Sequence, residues 1–177
     1  NRIGNIKAIS AGWKHIAKIM EDDTVLLWEN RSNSKWYKTK DLVSVKAISA
    51  GWHHTAAIKE DGTVVTWGEK EYAKSNVLED SLNKEFTKSD FFQGTGFARY
   101  TPTPVPAEAL STSKVKLVSA GGDHTVALKD DGIVVVWGSN KYGQHYVPED
   151  LGDLKAISAG DRHTVAQKEN GEVIAWG

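Results

Sequence analysis

The stretch SAGWHHTAAIKEDGTVVTWG, Ser49 to Gly68, holds several residue types that do chemistry. His53 and His54 could offer imidazoles to a metal ion. Ser49, His54 and Asp61 are the residue types of a hydrolytic triad. Each chemistry has a geometric demand. A triad needs one nucleophile, one base and one orienting acid meeting at a point. A zinc site needs a third ligand beside the pair. Neighbouring strand residues point to opposite faces, so His53 and His54 are poorly placed to share one ion.

The rest of the chain settles how these residues are read. Internal repetition is the first test of any sequence. Four segments align without gaps: IKAISAGWKHIAKIMEDDTVLLWE from Ile6, VKAISAGWHHTAAIKEDGTVVTWG from Val45, VKLVSAGGDHTVALKDDGIVVVWG from Val115 and LKAISAGDRHTVAQKENGEVIAWG from Leu154. Their glycines, Gly12, Gly51, Gly121 and Gly160, are spaced by 39, 70 and 39 residues. His15, His54, His124 and His163 recur at one position, as do Ser10, Ser49, Ser119 and Ser158. Residues that recur once per unit are distributed through the fold rather than gathered at one centre. The repeat histidines therefore read as structural groups that open a strand and tie down a turn or a neighbouring unit by hydrogen bonds.

Each unit predicts three short antiparallel strands. VKAIS is the first. The Ala-Gly pair then allows a sharp turn, on the expectation of positive φ at glycine. HTAAIK is the second strand, and TVVTWG, rich in β-branched residues, is the third. Asp61-Gly62, Asp131-Gly132 and Asn170-Gly171 are hairpin signals. The first unit has Asp22-Asp23 and Trp28-Glu29 at the matching places, and reads as a degenerate blade. Trp28, Trp67, Trp137 and Trp176 close the units as packing residues. A single unit of this size cannot bury its faces, so the units must stack. Radial packing into a β-propeller leaves fewer open edges than a flat solenoid. The whole chain, 1–177, reads as one all-β propeller region. Units begin near 6, 45, 115 and 154, and a long polar linker or insertion covers 70–101. Within it, 78–88 could form a short helix. GTGFAR from Gly94 lacks the third glycine and the following helix of a phosphate loop. TPTPVP reads as an extended entry to the third unit.

Composition narrows the classes. The chain has 177 residues, a formal net charge of −1 and no cysteine. Nothing in that balance provides an electrostatic footprint for nucleic acid. Disulfides and thiolate metal sites are excluded. The longest apolar runs, such as IVVVW from Ile133, are too short to span a bilayer.

The pattern AISAGxxHTxAxKxxGxVxxWG, followed in the third unit by SNKYGQ (Ser139 to Gln144), resembles the repeat of the regulator-of-chromosome-condensation (RCC1) family. The 39-residue spacing is similar to the compact bacterial type found in β-lactamase inhibitor protein II. The resemblance covers all but roughly residues 70–92. It implies a propeller, normally of seven blades, of which four units would be a part. An open arc, or closure through a second copy, are the alternatives. It also implies protein binding as the function. An inhibitor-like binding role and guanine-nucleotide exchange on a small GTPase are rivals, although no exchange residues can be carried over.

One position escapes the repeat. The pair after each SAG varies: Trp13-Lys14, Trp52-His53, Gly122-Asp123 and Asp161-Arg162. Aromatic residues beside charges at a turn fit an interface, and the alternative is that each tryptophan folds back on its own blade. The expected partner-binding set is Trp13, Lys14, Trp52, His53, Asp123 and Arg162, on one face. The expected protein is non-catalytic, with no cofactor, no metal and no nucleic acid, and with a protein partner. A secreted or cell-surface bacterial location is favoured over a cytoplasmic one.

Overall fold

The computed structural model describes residues 5–30, 36–39, 42–69, 100–103, 105, 109 and 113–177. The 78–88 segment, GTGFAR and nearly all of the 70–101 linker fall outside them. Fourteen strands are described, in four antiparallel sheets that follow one another along the chain. Blade 1 is β1 (Ile6–Ala11), β2 (His15–Met20), β3 (Val25–Glu29) and β4 (Trp36–Lys38). Blade 2 is β5 (Val45–Ala50), β6 (His54–Lys59), β7 (Val64–Glu69) and β8 (Tyr100–Thr103). Blade 3 is β9 (Val115–Ala120), β10 (His124–Lys129) and β11 (Val134–Gly138); blade 4 is β12 (Leu154–Ala159), β13 (Thr164–Lys168) and β14 (Val173–Trp176).

Three strands per unit was the sequence expectation, and blades 1 and 2 exceed it. Their fourth strands are short and lie at the sheet edge. In β8, Pro102 faces Trp67 across the ladder. A proline is tolerated there because an edge strand need not offer every N–H. TPT therefore completes the second blade rather than leading into the third.

Three apolar clusters form the core, one in each gap between consecutive blades. The first joins Ala17, Ile19 and Leu27 to Val45, Ala57, Val65 and Trp67. The second joins Ile58 and Val64 to Val115, Ala127, Val135 and Trp137. The third joins Val126 and Leu128 to Leu154, Ala166 and Trp176. The terminal tryptophans of units 2, 3 and 4 thus each fill the gap to the preceding blade.

The recurrent polar residues join blades across the same gaps. His15 Nε2 and the Thr55 hydroxyl share a hydrogen bond of 2.7 Å; His54 and Thr125 repeat it at 2.7 Å, and His124 and Thr164 at 3.0 Å. The serines do the same one strand inward. Ala50 N–H donates to Ser10 Oγ, Ala120 N–H to Ser49 Oγ and Ala159 N–H to Ser119 Oγ, at 2.9, 3.0 and 2.9 Å. A backbone bond completes each joint: Trp13 N–H to the Gly51 carbonyl, Trp52 N–H to Gly121, and Gly122 N–H to Gly160.

These joints explain the SAG glycines differently from the sequence expectation. Gly12, Gly51, Gly121 and Gly160 do not have positive φ. They are needed for close approach. A Cβ on Gly12 would fall on the Gly51 carbonyl oxygen, one on Gly51 on the Gly121 oxygen, and one on Gly121 on the Gly160 oxygen. Positive φ belongs to the hairpin glycines Gly62, Gly132 and Gly171, at 86°, 84° and 90°. Asp23 takes the same place in blade 1 at φ 60°. The preceding side chain caps each hairpin. Asp22, Asp61, Asp131 and Asn170 accept from the N–H two residues on. Asp61 therefore lies at the opposite end of β6 from His54, and Ser49, His54 and Asp61 do not converge.

The imidazoles of His15, His54 and His124 are buried. Burial is the leading cause that lowers His15, His54 and His124 from 6.5 to about 4 each. Their neutral form is the folded form, so the sign follows directly. Stability is full above pH 6.5 and falls as pH drops from 6.5 towards 4, because the unfolded chain binds protons that the folded chain refuses. Each histidine contributes on the order of 2–3 kcal/mol to that loss. Urea unfolding midpoints at pH 7.5 and pH 5 should show a marked drop, and equal midpoints would contradict it. Thr125→Val, which strands the His54 imidazole, should cost about 1–3 kcal/mol in the same assay at pH 7.5.

Candidate functional site

The Ala-Gly turns of all four blades converge at one end of the arc. Ala11-Gly12, Ala50-Gly51, Ala120-Gly121 and Ala159-Gly160 line a cavity of about 370 Å³, together with Trp13, Trp52 and Asp161. Convergence follows from the joints: each turn is bonded to the next through a glycine carbonyl. Whatever follows each SAG is therefore delivered to the rim of one concave surface.

Trp13 and Trp52 lie side by side there. Their ring centroids are 5.4 Å apart with planes tilted by 33°. They are exposed, at 56% and 42%. Neither folds back into its own blade. His53 is buried beneath them, edge-on to Trp13 at 5.3 Å and to Trp52 at 6.4 Å. It is held apart from His54, whose Nε2 is engaged with Thr125. Lys14 places its ammonium 4.0 Å over the Trp13 ring. Among the described residues, no three His, Asp or Glu side chains stand close enough to hold a metal ion.

A second cluster forms on the rim at blade 4. Arg162 Nε lies 3.3 Å from Asp161 Oδ2, and the guanidinium carbon stands 4.4 Å over the Tyr142 ring. Tyr142 is exposed and was absent from the expected set. Its signal was SNKYGQ, read as a family motif only. That loop is pinned by buried Gln144, whose Oε1 accepts from Tyr142 N–H and whose carbonyl accepts from Trp176 Nε1, both at 2.9 Å. Asp123 sits between the clusters, half-buried. Burial raises its carboxyl above the usual carboxylate value; His53 opposes that, Asp161 adds to it and Arg162 opposes it.

One expectation needs correction. The residue after SAG is not left free in every blade. Gly122 is buried under blade 4, and a Cβ there would fall on the Asp161 carboxylate and carbonyl. The two tryptophans stand where no such cover exists.

A sequence profile for the regulator of chromosome condensation (RCC1) repeat matches residues 45–72, 115–144 and 154–177. The fold is similar to that of yeast RCC1 (Prp20) solved bound to Kap60, with TM-score 0.69 at 19% identity, covering 100% of this chain and 44% of that one. It is similar to Prp20p from Saccharomyces cerevisiae, solved in a study of its binding to Gsp1p and histones, with TM-score 0.62 at 20% identity over 92% of this chain and 43% of that one. Human WBSCR16 matches with TM-score 0.66 at 17% identity over 100% and 48%. The chain spans less than half the length of each.

The exposure of the tryptophan pair yields a stability test. Trp13→Ala and Trp52→Ala should each change unfolding free energy by less than about 1 kcal/mol, as surface positions do. Trp67→Ala, at 1% exposure in the first gap, should cost about 3–5 kcal/mol. Comparable losses at all three positions in thermal melts would show that Trp13 and Trp52 are packing residues. Three of the four units carry the RCC1 repeat, and the fold of the chain matches RCC1-like propeller blades.

Proposed function

We propose that the chain is a non-catalytic scaffold that binds a protein partner through the rim formed by its Ala-Gly turns. The observation that carries this reading is the exposed Trp13–Trp52 pair, flanked by Lys14 and backed by His53. Large exposed aromatic residues with charged neighbours are the usual anchors of protein interfaces. Asp123, Arg162 and Tyr142 extend the same rim with mixed charge. The recurrent serines, histidines and threonines support a non-catalytic role, because they are engaged in joining blades. The described solved structures agree in kind, since the yeast protein was crystallised with Kap60 and studied for binding to Gsp1p and histones. Exchange on a small GTPase and inhibition of an enzyme are narrower forms of the same reading, each a consequence of which protein docks on the rim.

Differential capture tests it. The wild-type chain, Trp13→Ala/Trp52→Ala and the control Ile133→Ser, altered at an exposed hairpin away from the rim, would be used as baits. A partner held by the wild type and by Ile133→Ser should be lost with the double variant. Its affinity should fall by about 2 kcal/mol or more for each tryptophan. Equal affinity for all three baits would rule out the rim as the interface.

A further inference from the structure

The residue that follows each SAG is Trp13, Trp52, Gly122 and Asp161 in blades 1 to 4. Blade 3 adds no side chain at this place, and a Cβ on Gly122 would fall on Asp161 Oδ1. The cavity therefore runs from the Trp52 indole on blade 2, over Ala120 and Gly121 of blade 3, to Asp161 on blade 4. Apart from Trp13, the rest of its lining is alanine and glycine. Asp161 thus supplies the only side-chain charge among the described lining residues.

The polar groups around this cavity are sorted by sign. Its backbone donors are committed to the joints. The N–H groups of Gly12, Gly51, Gly121 and Gly160 donate to the carbonyl of their own blade's histidine, and those of Trp13 and Trp52 to the next glycine carbonyl. Ala50, Ala120 and Ala159 donate to the serines. An anion needs free amides of the kind a backbone nest offers, and these are spent. The nearby cations stand outside the lining: Lys14 over Trp13, and Arg162 over Tyr142 with its Nε on Asp161 Oδ2. Acceptors remain. Asp161 Oδ1 has no ion-pair partner among the described residues. Beside Asp161, the half-buried Asp123 encloses an Oδ1 with no hydrogen-bond partner among them. Lys14 shows that an indole of this rim accepts an ammonium.

We propose that this cavity receives a basic side chain of the protein partner, its stem along the Trp52 indole and its charged head on the Asp161 carboxylate. The assignment rests on the rim being the protein-binding surface and names what that surface selects. The Asp161 oxygens also grade the two basic residues. With Oδ2 held by Arg162, a guanidinium cannot fork onto both oxygens, whereas the ammonium of a lysine needs only one.

The probes are N-acetyl-lysine amide, N-acetyl-arginine amide and N-acetyl-norleucine amide, which has an alkyl stem without the charge. Each is titrated into the full chain while the indole Nε1–H signals of Trp13 and Trp52 are followed by NMR. The lysine probe should give a saturable shift with Kd on the order of 1–10 mM, as expected for one ammonium on an indole and a carboxylate. The arginine probe should bind more weakly than the lysine probe, and the norleucine probe about fivefold or more below it. Asp161→Asn, which keeps the shape and removes the charge, should weaken the lysine probe by about fivefold or more and leave the norleucine probe unchanged. A collapsed or repacked rim would move both. The proposal is overturned when neither basic probe binds wild type more tightly than norleucine amide, or when Asp161→Asn leaves their binding unaltered. A partner lost from the Trp13→Ala/Trp52→Ala bait but held as tightly by Asp161→Asn as by wild type overturns the basic-side-chain site alone and keeps the rim as the interface.

Discussion

A single neutral imidazole in each gap between blades is the constraint on which this structure depends. It bridges to a hydroxyl on the next sheet at 2.7–3.0 Å. It also lies against its own SAG glycine, so the turn can carry no side chain there. The bond and the packing are one device. Burial makes the ring hold a single protonation state, and the hydroxyl engages its Nε2. Around that point the serine bond, the glycine carbonyl bond and the apolar cluster fall into register. The blades are therefore joined by a repeated polar contact set inside an apolar gap, and the apolar gap alone would not fix their relative position.

This constraint separates structure from recognition. Everything the joint requires lies in SAG, His, Thr and the strand residues beyond. The pair between glycine and histidine is carried to the rim by the joint but is mostly not part of it. Trp13 and Trp52 can therefore meet in an exposed stack without disturbing the gap beneath. Gly122 shows the limit of that freedom, because its neighbour Asp161 leans over it. The same rim gathers Arg162 and Tyr142 from a different blade and a different loop. A mixed aromatic and charged surface thus arises from positions far apart in sequence but equivalent in the repeat.

Much of this was legible in the sequence, for a physical reason. Repetition exposes what each unit must do, so the hairpins at Asp61-Gly62, Asp131-Gly132 and Asn170-Gly171 and the structural place of the histidines follow from one alignment. What was misread depended on neighbours. The SAG glycines suggested positive φ, but their need comes from a carbonyl on the next blade, which no local pattern encodes. β8 lies in a segment read as an extended entry to the third unit, and only the position of the blade 2 edge makes it that blade's fourth strand. Tyr142 was missed because its loop recurs in no other unit. Its place on the rim comes from Gln144 anchoring to Trp176.

The claim that the recurring histidines are neutral joints is open to one direct measurement. Imidazole ¹⁵N shifts of His15, His54 and His124 can be followed by NMR in the folded protein as pH is lowered. The account predicts that all three keep the shifts of a neutral, hydrogen-bonded ring at pH 5.5, above the value of about 4 imposed by burial. Conversion of any of them to imidazolium near 6.5 in the folded chain would mean that the ring is reachable by water and that the joint is not what holds the blades.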